Sequence, residues 1–200
     1  MKNITQTFQL FNWGELNDRI KPGLIEIARD TFYEAIENQD LGDEINGFIL
    51  TQLNLAKSNG AVSAKTLGEL VGLKAEWSLS NAQGDGVAIY GTINSKDAPD
   101  LPWGEITTAK LVRNSWGIHY THQNCFEVTC YADDLEIPAA EVQAVALWDA
   151  LRDVCNATER YGYNVIDDYV SDDAIISNME SLGDVFHSDG QIYTSTVVLL

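Results

Sequence analysis

The sequence predicts an α+β fold: N-terminal helices, a central antiparallel sheet of about five strands, and C-terminal helices packed on that sheet. Three observations carry this. Apolar residues recur at helical spacing before residue 60, switch to strict alternation from about residue 74 to 132, and return to helical spacing after Pro138. Runs of helix, then strand, then helix indicate a sheet made of sequential hairpins rather than of alternating βαβ units.

The elements follow in order. Residues 8–20 lead in with a short helical segment, and Pro22 suits a first helical turn. Leu24/Ile25, Ala28, Phe32 and Ala35/Ile36 then repeat on one face, with Glu26, Arg29, Asp30 and Glu34 opposite. A second helix is expected over Asp43–Lys57, stopped by Gly60. Residues 63–73 form a short helix if Ser63 caps it, although two glycines weaken it. Alternation in KAEWSLS (74–80) and VAIYGTI (87–93) marks two strands. EITTAKLVRNS, WGIHYTH and NCFEVTCYAD read as three more, joined at Asn114-Ser115 and Gln123-Asn124. A long helix follows Pro138 on the strength of its Ala/Leu content, with an imperfect stripe through Val142, Val145/Ala146, Asp149, Leu151/Arg152 and Cys155. Ser171 as N-cap, Asp172 and Asp173 in the first turn and Gly183 as stop signal a last helix. Asp189-Gly190 is a turn before a possible final strand. Without a Gly/Ser/Pro linker or an internal repeat, residues 1–200 read as one domain.

Composition excludes several classes. At 45% apolar residues the chain is not of the disordered type. No apolar run reaches membrane-spanning length, and the N-terminus lacks the apolar core of a leader. Three cysteines, an odd number, read as reduced thiols of a cytoplasmic protein. The net charge of −18 is uneven: residues 133–200 hold fourteen of the thirty acids and two of the twelve bases. Such a field repels nucleic acid and anionic lipid and attracts basic partners. It serves solubility, or it forms an acidic face that meets a basic surface or imitates nucleic acid, with Asp133, Asp134, Asp167, Asp168, Asp172 and Asp173 as contributors.

Two local features stand out. In SLSNAQGDGVAIYG (78–91), Gly84 and Gly86 flank Asp85, one glycine more than a plain hairpin needs. Gln83, Gly84, Asp85 and Gly86 are either a structural turn or a ligand loop. It is not a phosphate loop, since no Lys-Ser/Thr follows. In GIHYTHQNC, His119, His122 and Cys125 have ligand-like spacing, but on a strand the two histidines would face opposite ways, which argues against a metal. No motif calls for a cofactor. No G-x-S-x-G elbow occurs, and the adjacent aspartates read as caps and solvated surface.

The chain also resembles a family of small phage and prophage proteins, some loosely labelled antitoxin-like. The segments FNWGELNDRIKPGLIEIARDTFY, WSLSNAQGDGVAIYG, GIHYTH and YGYNVIDDYVSDDAIISNMES…VFHSDGQIY carry the resemblance, and the QGDG core with the HYTH segment is its most specific part. It implies a phage-borne protein acting in the host cytoplasm, and no catalytic residue. Two functions are therefore expected. One is binding and inhibition of a host defence or nucleic-acid-handling protein with a basic surface, through the acidic face, with no direct nucleic-acid or membrane contact. The other is a small-ligand or enzyme site built from Gln83, Gly84, Asp85 and Gly86 with His119, Tyr120 and His122.

Overall fold

Alternating burial along residues 73–137 folds them into a meander. In the computed structural model, which describes residues 9–36, 41–54, 63–80 and 82–191, the strands β1 (Leu73–Ser78), β2 (Gly86–Asn94), β3 (Thr108–Arg113), β4 (Phe126–Ala132) and β5 (Leu135–Ile137) lie in chain order. Each is antiparallel to the next. Ala109 and Leu111 of β3 are buried while Lys110 and Val112 are exposed, and the register sets Ala109 against Cys130 and Leu111 against Val128. An apolar face thus runs across strands, as period-two alternation requires. In β2 the five residues Gly86–Tyr90 are all buried, so this strand is covered on both faces where it leaves the QGDG turn.

The α+β class is as expected, and two strand assignments change. Residues 116–122 are not a strand: Trp116–Ile118 form a 3-10 turn inside the long β3–β4 connection. Asn114 causes this, because its Oδ1 accepts the amides of both Trp116 and Gly117 and so closes a side-chain turn that competes with the ladder. The fifth strand is β5 instead. Asp133 and Asp134, with φ of 45° and 69°, make the two-residue turn that reverses the chain into it.

The chain divides into two compact units, residues 37–165 and residues 1–36 with 166–200. In the sheet unit, α2 (Leu41–Gln52), α3 (Ala64–Val71) and most of α4 (Val142–Tyr169) accompany the strands. At 28 residues α4 is about 42 Å long. It buries Ala144, Leu147, Leu151, Cys155 and Thr158, whereas Val142 and Val145 are exposed. Leu151 and Cys155 of the expected stripe are thus in the core, and its two valines are not. The Ile89 backbone amide faces the Cys155 sulfur, and Glu159 lies beside Gly86, so α4 runs over β2. Tyr161 stacks on Phe48 of α2, with centroids 4.2 Å apart, and donates to Glu44 at 2.7 Å. Ser63 caps α3 as its sequence position predicts. The expected stop at Gly60 lies outside the described residues.

The other unit pairs α1 (Lys21–Ile36) with α5 (Asp172–Leu182) around Trp13, Leu16, Ile175, Met179 and Phe186. Phe11 and Phe186 exchange backbone hydrogen bonds, both 2.9 Å, tying the lead-in to the segment after α5. Ser171 caps α5 and Gly183 ends it in the left-handed conformation. The possible final strand lies outside the described residues. No helix among the described residues is long and apolar enough to cross a membrane.

One close backbone approach sets the corner between α3 and β2. Thr92 donates to the Gly72 carbonyl at 3.1 Å, and a Cβ on Gly91, at φ 128°, would run into that same carbonyl. Gly91→Ala is expected to cost about 2–3 kcal/mol, because both strain and a backbone clash must be relieved. Gly23→Ala in α1, with open space around it, is expected to be neutral or to stabilise by about 0.5–1 kcal/mol. Urea midpoints at constant slope would check the pair; equal midpoints would contradict the corner's role.

Candidate functional site

The QGDG turn is organised by its carboxylate. Asp85 Oδ1 accepts the Ser78 hydroxyl at 2.7 Å. Its Oδ2 accepts the Ser80 amide at 2.9 Å, the Ser80 hydroxyl at 2.7 Å and the Ala82 amide at 2.7 Å. Burial pushes the Asp85 pKa up, but hydrogen bonds from Ser78, Ala82 and Ser80 outweigh it and hold the carboxyl below its ordinary value. Asp85 thus faces its own turn.

Each glycine has its own reason. Gly84 sits at φ 86°, and a Cβ there would occupy the space of the Tyr120 ring. Its carbonyl accepts the Thr121 amide at 3.0 Å. Gly86 sits at φ 150°; a Cβ there would lie 2.8 Å from Glu159 Oε2 and 3.4 Å from the Cα of His122. One glycine admits the HYTH segment and the other admits a carboxylate from α4.

The HYTH segment is held by Asn114 and Asn124. Asn114 Nδ2 donates to the Asn124 carbonyl at 2.6 Å, and the Asn114 and Cys125 amides donate to the Cys125 and His122 carbonyls at 3.1 and 2.8 Å. His122 Nδ1 accepts the Asn124 amide at 3.2 Å, which leaves Nε2 as the N–H of the neutral ring. Arg152 of α4, whose guanidinium lies over Trp148, donates to Asn124 Oδ1 at 2.5 Å. Trp116 and Tyr120 lie 6.3 Å apart at 29°, and His119 meets the Tyr120 ring edge-on at the same separation.

Between the turn and this segment lies a pocket of about 460 Å3, lined by Gln83, Gly84, Asp85, Trp116, Tyr120, His122, Asn124 and Cys125. Five of the seven residues expected at a ligand site line it. Gly86 packs beside it against His122, and His119 backs Tyr120 without lining the pocket. Trp116, Asn124 and Glu159 were not anticipated. Trp116 and Asn124 flank HYTH in the sequence and were obscured by the strand assignment; Glu159 carries no sequence signal.

Glu159 is half-buried. Burial raises its pKa, His122 pulls it down, Asp85 pushes it up and Arg160 pulls it down, with a net upward shift. Cys125 is buried and its thiol is pushed up, as are Cys130 and Cys155, so the three are packing thiols rather than poised nucleophiles. Among the described residues no group of three His, Cys, Asp or Glu could hold a metal ion.

The acidic candidates are all exposed. Asp133 and Asp134 form the β4–β5 turn of the sheet unit. Asp167, Asp168, Asp172 and Asp173 flank Ser171 at the corner between α4 and α5, and Asp172 is paired with Arg29, whose Nε also donates to the Val170 carbonyl at 3.1 Å.

Asp85→Ala is expected to cost about 2 kcal/mol, since it strips the acceptor from the Ser80 and Ala82 amides. The sign with pH follows from the lowered folded pKa: the contribution is present above the unfolded value and is lost as pH falls below about 4. The stability gap between the protein and Asp85→Asn should therefore narrow in acid, as read by urea unfolding from pH 7 to pH 3. A gap that is constant across that range would contradict the clamp.

Comparisons with protein-family models, curated proteins and solved structures returned no match for this chain.

Proposed function

We propose that the chain is a small-ligand-binding protein whose site is the pocket between the QGDG turn and the HYTH segment. The observation that carries this is convergence: two segments some forty residues apart meet around one cavity within the roughly 300–1,000 Å3 range of small-molecule sites. The Gln83 amide, Asn124 Nδ2 and His122 Nε2 make no hydrogen bond among the described residues, whereas Trp116 and Tyr120 supply flat apolar surface. Such a lining suits a planar ring with hydrogen-bonding edges. Asp85 is saturated by its own turn, so binding is favoured over acid–base chemistry.

A panel of adenosine, uridine and nicotinamide, followed by protein fluorescence with Trp116→Phe as the signal control, tests it. At least one member is expected to bind saturably, and Tyr120→Ala or Gln83→Ala to weaken it by about tenfold without lowering the melting temperature. No saturable binding, or binding indifferent to both substitutions, would count against the site.

A second reading is favoured by the charge. Two-thirds of the −18 lies beyond residue 132, and at the α4–α5 corner Asp167, Asp168 and Asp173 are exposed and make no ion pair among the described residues. On this reading the protein is phage-encoded and acts in the host cytoplasm, as the resemblance implies, and its acidic face inhibits a basic host factor by nucleic-acid mimicry. A partner recovered from host cells should then associate about tenfold more slowly at 0.5 M than at 0.05 M salt, and Asp167→Asn with Asp168→Asn should slow it further. A salt-insensitive association rate would remove this reading.

A further inference from the structure

We infer a second binding site, independent of the pocket above: a groove in the helical unit that takes a small amphiphilic amine, an apolar tail ending in an ammonium group. Its volume is about 490 Å3. Leu24, Ala28 and Phe32 stand at i, i+4 and i+8 on one face of α1, so they form a continuous strip. Met179 of α5 and Phe186 close the opposite wall. Ile27, 67% exposed, extends the apolar surface at its edge. The groove therefore offers tail-binding surface within the size range of small-molecule sites.

The rim decides the head group. Asp184 and Asp189 both line the groove, and no Lys, Arg or His does. Asp189 is fixed by the turn that carries it: its Oδ1 accepts the Gln191 amide at 3.1 Å, and Gly190 and His187 close the turn through backbone bonds of 2.9 and 2.8 Å. That bond uses one of its two carboxylate oxygens. Asp184, just beyond the Gly183 cap, makes no side-chain hydrogen bond among the described residues. The described lysines and arginines of this unit are Arg19, Lys21 and Arg29; Lys21 is held by Asp18 and Arg29 by Asp172, and His187 lies outside the groove's lining. Two carboxylates over an apolar trough with no cation in its lining match a ligand of opposite charge, and the overall −18 reinforces the match.

Three compounds of one shape separate tail from head: 4-phenylbutylamine, 4-phenylbutanol and 4-phenylbutyrate, titrated into the full chain at low salt and followed by methyl NMR and calorimetry. The expected result is binding in the order amine, alcohol, acid, the amine roughly fivefold tighter than the alcohol, with shifts at Ala28 and Met179. Asp184→Asn with Asp189→Asn should bring the amine to the alcohol's affinity. Thr31→Trp, a substitution at an exposed groove position, should weaken all three, and Tyr120→Ala should change none. Equal affinity for amine and alcohol, or indifference to Thr31→Trp, would overturn the proposal. Two further outcomes would overturn it as well. Amine binding only after residues 192–200 are removed would assign the groove to the chain's own end. An amine effect that appears only as dissociation of a dimer in sedimentation would assign it to a second copy.

Discussion

The Asp85 carboxylate is the constraint on which the candidate pocket depends. Four donors from Ser78, Ser80 and Ala82 converge on it. Several hydrogen bonds to one ionised acceptor hold a loop far more firmly than a lone turn amide does. With the loop fixed, the Gly84 carbonyl faces Thr121 and the Gly84 Cα faces Tyr120, and the pocket acquires both walls. The carboxylate at the centre of the QGDG motif is thus a structural anchor. The chemistry available to a ligand belongs to its neighbours: the Gln83 amide, the His122 ring and the Asn124 amide.

Glu159 runs against stability, and that is informative. Its carboxyl is raised above its ordinary range, so ionising it at neutral pH opposes folding: the penalty begins as pH rises past the unfolded value, about 4.3, and is complete above the folded one. A chain optimised only for packing would place a glutamine or an apolar residue on this part of α4. Gly86, left without a side chain at φ 150°, makes room for the carboxylate. Two adjustments, one on the helix and one on the strand, therefore maintain an acidic group beside His122. Costs of this kind concentrate at functional sites.

Much of the fold was legible because it obeys local rules. Ser63 and Ser171 cap their helices, Gly183 ends one, and the alternation in β1 through β4 reports a half-buried sheet. What was not legible arises from side-chain and tertiary competition. WGIHYTH alternates well enough for a strand, yet Asn114 captures two amides and diverts the chain into a 3-10 turn. Asp133 and Asp134 read as surface charge, and their left-handed backbone makes them a hairpin turn. In α4, Leu151 and Cys155 of the expected stripe are buried, whereas Val142 and Val145 are exposed and Ala144 and Leu147 take the core positions ahead of them. The pocket was half legible. The pairing of QGDG with HYTH was expected on a shared sheet end, whereas Trp116 and Asn124 became visible only once the turn was recognised. Glu159 joins the site through the placement of α4 over β2, which no local pattern encodes.

Charge and cavity together narrow what either site admits. At physiological salt, fields decay over roughly 8 Å, so a distant ligand feels the net charge mainly near the surface, where it discriminates most. An anion approaching a chain with 30 acids and 12 bases is disfavoured unless local cations receive it. Beside the pocket, Arg152 is turned toward Asn124 and Trp148, and Arg113 toward Glu76 and the Gly117 carbonyl, while the Arg152 Nε–H is buried without a partner among the described residues. The other partners open there are an amide at Gln83, an amide at Asn124 and the second ring nitrogen of His122. The groove in the helical unit offers carboxylates instead. Uncharged rings for one site and amines for the other follow from the groups that line each: amides and aromatic rings beside a saturated carboxylate in the pocket, two carboxylates over apolar side chains in the groove.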